Sequence, residues 1–243
     1  MVAGPAAADA VARARRLNGL RVGLHLVLVD GRPVLPPEYL PDLLDAAGRF
    51  RMGMAELGLA IVARPSIRRQ VASEIEGQFA AFRATGLRLD HVNAHKHFHL
   101  HPTIARAIVA VGRRFGLDAL RVPIEPRSVL TVVEPRTPRG STWVTAPWAG
   151  HLARTARRAG LRTPDSVFGL AWTGAMTAGR LAGLLDHLPA GRTEIYFHPA
   201  TRDDFPGHAA GYHYREELAA LTAPSSIAAV RRADLKLGGY ADF

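Results

Sequence analysis

The chain has 243 residues, 48% of them hydrophobic, which is enough to bury one large core without a second domain. It contains no cysteine, which excludes disulfides, thiolate metal sites and cysteine nucleophiles, so any metal ion must be bound by His, Asp or Glu. The formal net charge of +10 comes from 31 Lys and Arg residues, nearly all Arg, which are scattered without interleaved aromatic residues; we therefore expect no nucleic-acid partner.

Short apolar runs alternate with helical patterns along the chain, which is typical of a parallel sheet covered by helices. Residues 123–166 are rich in Pro, Arg, Thr and Trp, and we interpret them as a long excursion with a helix near 148–159. The order of elements predicts one α/β domain over residues 1–243 with an irregular (β/α) barrel-like fold, whose functional residues gather at the carboxyl ends of the strands. In chain order, the other predicted elements are helix 6–17, strand 21–28, helix 66–85, strand 87–95, helix 102–115, strand 119–122, helix 178–188, strand 193–198, and helices 215–221 and 225–232.

A histidine-rich tract follows the second predicted strand. On a strand, alternate residues share one face, so at least the first four polar side chains of the tract are expected to project into one space. An apolar layer does not hold such a cluster, because each unsatisfied ring nitrogen costs about 1–3 kcal/mol. Three alternatives stay open for the tract: an exposed loop, a His-rich stretch that binds metal ions without a defined site, and the solvated start of a helix. The flanking strand and helix favour a metal or catalytic site. The alternating polar residues are His91, Asn93, His95, His97, His99 and His101.

Two further histidines stand at other predicted strands. His25 lies inside an apolar strand, where a single histidine is more often a satisfied core residue than a ligand. His198 is the last residue of the strand predicted over 193–198, which Pro199 ends. Three strands that each deliver a histidine to the same end of a sheet predict that the rings of His25, His95 and His198 converge around one ion.

Three stretches of the sequence resemble the YdjC-like family, the family of the chitooligosaccharide deacetylases. They are GLHLVL at 23–28, HVNAHKHFHLHP at 91–102 and YFHPA at 196–200. With LRVPIEP at 120–126 and HPATRDDFPGH at 198–208, the chain is most similar to the hopanoid-biosynthesis-associated branch. The resemblance implies hydrolysis of the N-acetyl group of an N-acetylglucosamine-type carbohydrate, on a hopanoid glycolipid or a chitooligosaccharide, with a divalent metal ion, Mg or Zn.

The resemblance also implies a role for each matching residue. His25 and His95 match the two metal-ligand histidines, and His198 matches a general acid that protonates the leaving amine. The substrate-binding residues that it implies are Arg121, Asn93, His97 and His99. Asn93 and Lys96 depart from the family's Asp-Ser-His-His-His-Val-His pattern, so we expect the hydrogen bonds that orient His95 to differ.

The family's Ala-Asp-Asp-Phe-Gly strand, which supplies the general base and the third metal ligand, has no counterpart here, and the chain opens on a predicted helix. By comparison with the family we expect a truncation at the amino terminus that removes the first strand. With only His25 and His95 as protein ligands, we expect weak metal binding and poor turnover.

Several further expectations follow from the sequence. An inactive or weakly active binding protein and a metal-dependent phosphoesterase stay open as alternatives, although a phosphoesterase needs more carboxylates and a group of anion-binding residues.

The apolar stretch Leu57–Ala63 is far shorter than the roughly 20 residues of a membrane span. We therefore expect a soluble, cytoplasmic protein, with peripheral membrane contact and a homodimer left open. Aromatic residues that we expect to stack on a sugar are Trp143, Trp148 and Trp172.

Overall fold

A computed structural model describes residues 1–137, 142–232 and 235–243. The chain divides into two compact units. The first unit consists of Met1–Arg121, Trp148–Thr163 and Gly238–Phe243, and the second of Val122–Pro147 and Pro164–Leu237. The prediction of one domain over the whole chain stays a prediction.

The architecture is mixed α/β, with short parallel strands and many helices. No helix in the described part of the chain combines the length and the apolar character that a membrane crossing requires. In chain order, the elements are α1 (Ala7–Ala14), β1 (Val22–Leu26), α2 (Met54–Ala63), α3 (Pro65–Ala84), β2 (Leu89–Ala94), α4 (Pro102–Gly112), α5 (Arg127–Val133), α6 (Thr142–Arg158), β3 (Ser166–Phe168), α7 (Ala178–Asp186), β4 (Thr193–Ile195), α8 (Tyr214–Thr222) and α9 (Pro224–Arg232), with 3₁₀ segments at Pro37–Tyr39, His95–Leu100, Arg113–Phe115 and Tyr240–Asp242.

In the first unit, β1 and β2 pair in parallel and give their sheet one apolar and one polar face. Leu24 and Leu26 are buried and pair with Val92 and Ala94, which are also buried. The residues between them carry the polar face, because successive side chains of a strand point to opposite sides. Isolated parallel bridges extend this pairing from Val92 to Leu120 and from Ala119 to Arg162.

Helix α3 packs its apolar face into the core of the first unit. It begins with Pro65, which fits the first helical turn because its missing N–H has no partner to lose there. The helix ends just before Gly86, whose φ of +72° lies in the left-handed region that glycine adopts at little cost. The buried apolar residues of the helix, spaced three or four apart, are Ile67, Val71, Ile75, Phe79 and Phe82.

In the second unit, β3 and β4 pair in parallel with Phe168 opposite Ile195. The side chain of Glu125 accepts hydrogen bonds from three successive backbone N–H groups after β3, at residues 169–171 and 2.9 Å each. Burial raises the pKa of this carboxyl group, although the three hydrogen bonds oppose the rise. The apolar cluster of the unit contains Leu130, Phe168, Trp172, Met176 and Leu184.

Most predicted elements are present; the differences concern short elements, element ends and helix α2, which was not predicted. The predicted strand over 119–122 is reduced to the bridges at Ala119 and Leu120. The predicted strand over 193–198 ends at Ile195. The predicted excursion over 123–166 contains α5, which the sequence analysis missed, and a helix α6 that begins before residue 148; residues 138–141 of the excursion lie outside the described residues.

Candidate active site

His25 and Asn93 stand side by side near the carboxyl ends of β1 and β2. The parallel register pairs the two residues directly, so their side chains lie on the same face of the sheet. Nδ1 of His25 lies 2.5 Å from Oδ1 of Asn93. The two residues were predicted to belong to one site, His25 as a metal ligand and Asn93 as a substrate contact, and in the structure their side chains are in contact.

His95 forms a pair of imidazoles with His25. It is the first residue after β2, and its ring centroid lies 5.8 Å from that of His25, with 73° between the ring planes. The two predicted metal ligands are therefore neighbours within the first unit. Burial lowers the pKa of His25 to about 3, so this ring is neutral at pH 7. The neutral imidazole is the form that binds a metal ion.

The histidine tract leaves the strand at Ala94. A 3₁₀ segment follows, in which Lys96 and His97 have φ of 52° and 55°, left-handed values that residues other than glycine rarely adopt. Nζ of Lys96 forms an ion pair with Oδ2 of Asp30 at 2.5 Å. The prediction that the tract continues as a strand is therefore wrong beyond Ala94, because the chain turns, although the ring of His95 still lies beside that of His25.

His99 is fully buried and bonds to the backbone at Arg121. Burial lowers the pKa of His99 well below its ordinary value, so the ring is neutral, and Nε2 donates to the carbonyl oxygen of Arg121 at 3.0 Å. The N–H of Arg121 donates in turn to the carbonyl of Val92. A side chain as buried as His99 meets no ligand from solvent in this structure. The predicted substrate contacts of Arg121, Asn93, His97 and His99 stay predictions.

His198 belongs to the second unit, three residues after β4. Its backbone N–H donates to the carboxylate of Glu217, and its Nδ1 lies 4.0 Å from the same oxygen. The ring lies edge-on to two phenol rings, with centroids 5.6 Å from that of Tyr196 and 5.0 Å from that of Tyr212. The role of His198 as general acid stays a prediction.

Glu217 is a candidate functional residue that the sequence analysis missed. Its side chain is 1% exposed and also accepts a hydrogen bond from the N–H of Met176 at 3.1 Å. The signal in the sequence is its position on α8, three residues after Tyr214 and three before Ala220, both of which are buried. An acidic residue on the apolar face of an amphipathic helix indicates a buried partner.

The imidazole pair fits part of a divalent metal site. His25 has the neutral state that a ligand requires, and its hydrogen bond to Asn93 uses Nδ1, so Nε2 is the candidate ligand atom. Across residues 1–137, 142–232 and 235–243, no group of three or more His, Asp or Glu side chains is arranged to hold a metal ion. Within these ranges the two predicted imidazoles lie together, but no third His, Asp or Glu side chain is placed to complete a metal site with them.

The tryptophans predicted to stack on a sugar differ in exposure. Trp148 is half exposed, whereas Trp172 is buried in the apolar cluster of the second unit, with the guanidinium of Arg180 over its ring at 5.2 Å. The side chain of Trp143 lies outside the described residues. Sugar stacking by these residues stays a prediction.

Known proteins resemble the chain over most of its length. A family model described as YdjC-like protein matches residues 1–232. A carbohydrate deacetylase from Geobacillus stearothermophilus is 30% identical over 243 residues, covering 98% of this chain and 82% of that protein. A carbohydrate deacetylase from Mus musculus is 32% identical, covering 93% and 78%. A chitooligosaccharide deacetylase from Yersinia pestis is 29% identical, covering 92% and 78%.

The fold of the chain is also similar to that of a solved structure. It is that of a "putative cellobiose-phosphate cleavage protein" from Enterococcus faecalis V583, which matches with a TM-score of 0.73 and 24% identity over 100% of this chain and 85% of that one. At this identity the likeness shows the fold alone.

Proposed function

We propose a function from one premise: the chain belongs to the YdjC-like family. The chain is a carbohydrate N-deacetylase, a hydrolase that removes the acetyl group from an N-acetylated sugar. The observation that carries the proposal is the pair of imidazoles of His25 and His95 near the carboxyl ends of two parallel strands, in which burial lowers the pKa of His25 to about 3. The names of the relatives, carbohydrate deacetylase and chitooligosaccharide deacetylase, support the same reaction.

His25 and His95 are the residues that would hold the divalent ion, Mg or Zn. Imidazole is a common zinc ligand, whereas magnesium prefers oxygen ligands, so zinc is the first metal to test. When bound, such an ion lowers the pKa of water and polarises the amide carbonyl. Asn93 orients the ring of His25 through the 2.5 Å hydrogen bond.

His198 is the proposed proton donor. In the hydrolysis a water oxygen forms a bond to the carbonyl carbon and the amide C–N bond breaks, which yields acetate and a free amine, and the amine takes up a proton as it leaves. The carboxylate of Glu217 accepts a hydrogen bond from the backbone N–H of His198 and lies 4.0 Å from Nδ1 of its ring, so it positions this residue. Arg121 and His97 are proposed to contact the substrate.

The proposal also includes the substrate, the fold and the cellular compartment. The sugar is an N-acetylglucosamine unit of a hopanoid glycolipid or a chitooligosaccharide, which rests on the motifs at 120–126 and 198–208. The parallel pairings of both sheets support a (β/α) barrel-like fold. We propose that the enzyme works in the cytoplasm.

The test is release of acetate and free amine from diacetylchitobiose and from a lipid that carries N-acetylglucosamine. The protein is stripped of metal, then assayed without addition, with zinc and with magnesium, and p-nitrophenyl phosphate serves as the counter-substrate. We expect metal-dependent amine release and no phosphate release. Phosphate release without amine release would establish the phosphoesterase alternative. Sugar binding without turnover under every metal condition would establish a binding protein.

A further inference from the structure

We infer that Asp90, His91 and Asn93 form a directed chain of hydrogen bonds that fixes the tautomer of His25, and that Gly238–Phe243 anchors its far end. These residues act through His25, so they are positioning residues. The inference deepens the proposed function, since it gives His25 the ring state of a metal ligand. It concerns the metal-free protein and can be tested without turnover.

The chain of hydrogen bonds starts at the carboxylate of Asp90, which is buried and accepts three hydrogen bonds. Two come from the backbone N–H groups of Tyr240 and Ala241, at 3.1 Å each, and the third from Nδ1 of His91 at 2.9 Å. Because a carboxylate only accepts, Nδ1 of His91 must carry a proton. When Nδ1 carries the single proton of an imidazole ring, the other nitrogen, Nε2, is an acceptor.

Asn93 continues the same donor-to-acceptor order of hydrogen bonds to His25. Its Nδ2 lies 3.3 Å from Nε2 of His91, and an amide nitrogen only donates, which matches the acceptor at His91. The amide oxygen therefore faces His25, and an oxygen only accepts. Nδ1 of His25 must then carry the proton, and its Nε2 keeps the lone pair that a metal ion binds.

A bulge in the sheet makes the chain of hydrogen bonds possible. Val22 pairs with Leu89 and Leu24 with Val92, so two residues of β2, Asp90 and His91, lie opposite Gly23 alone. The bulge breaks the alternation of β2, and the neighbouring side chains of Asp90 and His91 come within hydrogen-bond distance of each other.

Packing holds the ring of His91 on both sides. A Cβ atom at position 23 would lie 2.6–2.8 Å from three ring atoms of His91, so only glycine leaves space for the ring. On its other side the ring stacks on Tyr240, with centroids 4.3 Å apart and 20° between the planes. Arg21 holds this terminal segment through two hydrogen bonds to the carboxylate of Asp242, at 2.9 and 2.8 Å. Three segments far apart in sequence thus define one ring position.

The experiment is nitrogen-15 NMR of the histidine rings in the metal-free protein at pH 7.5, with two-bond nitrogen–proton correlations. In the wild type we expect a protonated Nδ1 and an unprotonated Nε2 at His25. The variant His91→Phe keeps the stack on Tyr240 but removes both ring nitrogens from the chain. We expect it to give a mixture of His25 tautomers and about tenfold weaker zinc binding.

Asn93→Asp is the matched control, because a carboxylate at position 93 still accepts from Nδ1 of His25. It is expected to keep the wild-type tautomer. If His91→Phe does not fold by circular dichroism, Gly23→Ala replaces it, since the added methyl group displaces the ring of His91 and removes no polar group. A wild-type His25 protonated on Nε2, or an unchanged tautomer in both chain-breaking variants, would overturn the inference. Correct tautomers without any deacetylation would instead count against the proposed function alone.

Discussion

His25 in the first unit and His198 in the second are held in different ways. The ring of His25 is bonded at Nδ1 to a side chain of the neighbouring strand, which determines which nitrogen carries the proton. His198 is bonded to Glu217 through its backbone N–H, and its Nδ1 lies 4.0 Å from the nearest carboxylate oxygen. A metal ligand needs one fixed lone pair, whereas a proton donor must change its protonation state in every cycle. The difference is consistent with the two roles proposed for these histidines, a metal ligand for His25 and a proton donor for His198.

Removing either imidazole of the pair is the strongest way to break this comparison. His25→Ala and His95→Ala are each expected to lower kcat/KM for deacetylation about 10³-fold or more, equivalent to about 4 kcal/mol, and to weaken zinc binding. Isothermal titration with zinc and the amine-release assay measure the two effects. The exposed His187 provides the matched control, because His187→Ala is expected to change neither. Unchanged zinc affinity in both pair variants would remove these residues from the metal site.

His198→Gln tests the other side of the comparison. The variant is expected to lower kcat about 10²–10⁴-fold, which is the usual contribution of a positioned proton donor. Zinc affinity is expected to stay at the wild-type value, because the residue is assigned to proton transfer and not to the ion. A fall in zinc affinity equal to that of His25→Ala would contradict the division of tasks.

Glu217→Gln tests the role of the buried carboxylate in stability and in turnover. It removes a charge that accepts two backbone hydrogen bonds, and we expect the free energy of unfolding to fall by about 1.5–3 kcal/mol in urea titrations. The loss in kcat is expected to be smaller than that of His198→Gln, since the imidazole remains. Glu216→Gln, on the exposed side of the same helix, is expected to change neither quantity.

Acid should destabilise the protein partly through His25. Its folded pKa of about 3 lies below the ordinary value of 6.5, so between these values the unfolded chain binds a proton that the folded chain does not. Stability is therefore complete above pH 6.5 and falls by about 1.4 kcal/mol per pH unit for this group as the pH drops towards 3. Urea unfolding at pH 7, 6 and 5 should show a shallower pH dependence for His25→Asn than for the wild type. Parallel curves would show that His25 is not buried in its neutral form.

Periodic and capped elements were predictable from the sequence. Helix α3 carries regularly spaced apolar residues between Pro65 and Gly86, and its predicted bounds agree with the structure to within one residue. Helix α2 was missed, because its ten residues are apolar almost throughout and show no polar face. The strand β3 has three residues, too few to show any period.

The site was predictable as a set of residues but not as a geometry. His25 could be selected because it interrupts an apolar strand, and His95 because it lies in a histidine-rich tract that resembles the signature of the family. The turn after Ala94 could not be predicted, since Lys96 and His97 adopt backbone angles that their residue types disfavour. The contact of His25 with Asn93 depends on the register of two strands 68 positions apart, which no local pattern contains.

That register has a consequence for how the protein matures. Sliding β1 along β2 by one residue would place His25 opposite Val92 or Ala94, whose side chains face the apolar layer. Such a misaligned chain would still look folded by its helix content, yet it would lack the hydrogen bond to Asn93. The ring state of His25 therefore distinguishes molecules with the native strand alignment from compact but misassembled ones, and can serve as a quality measure for any refolded preparation.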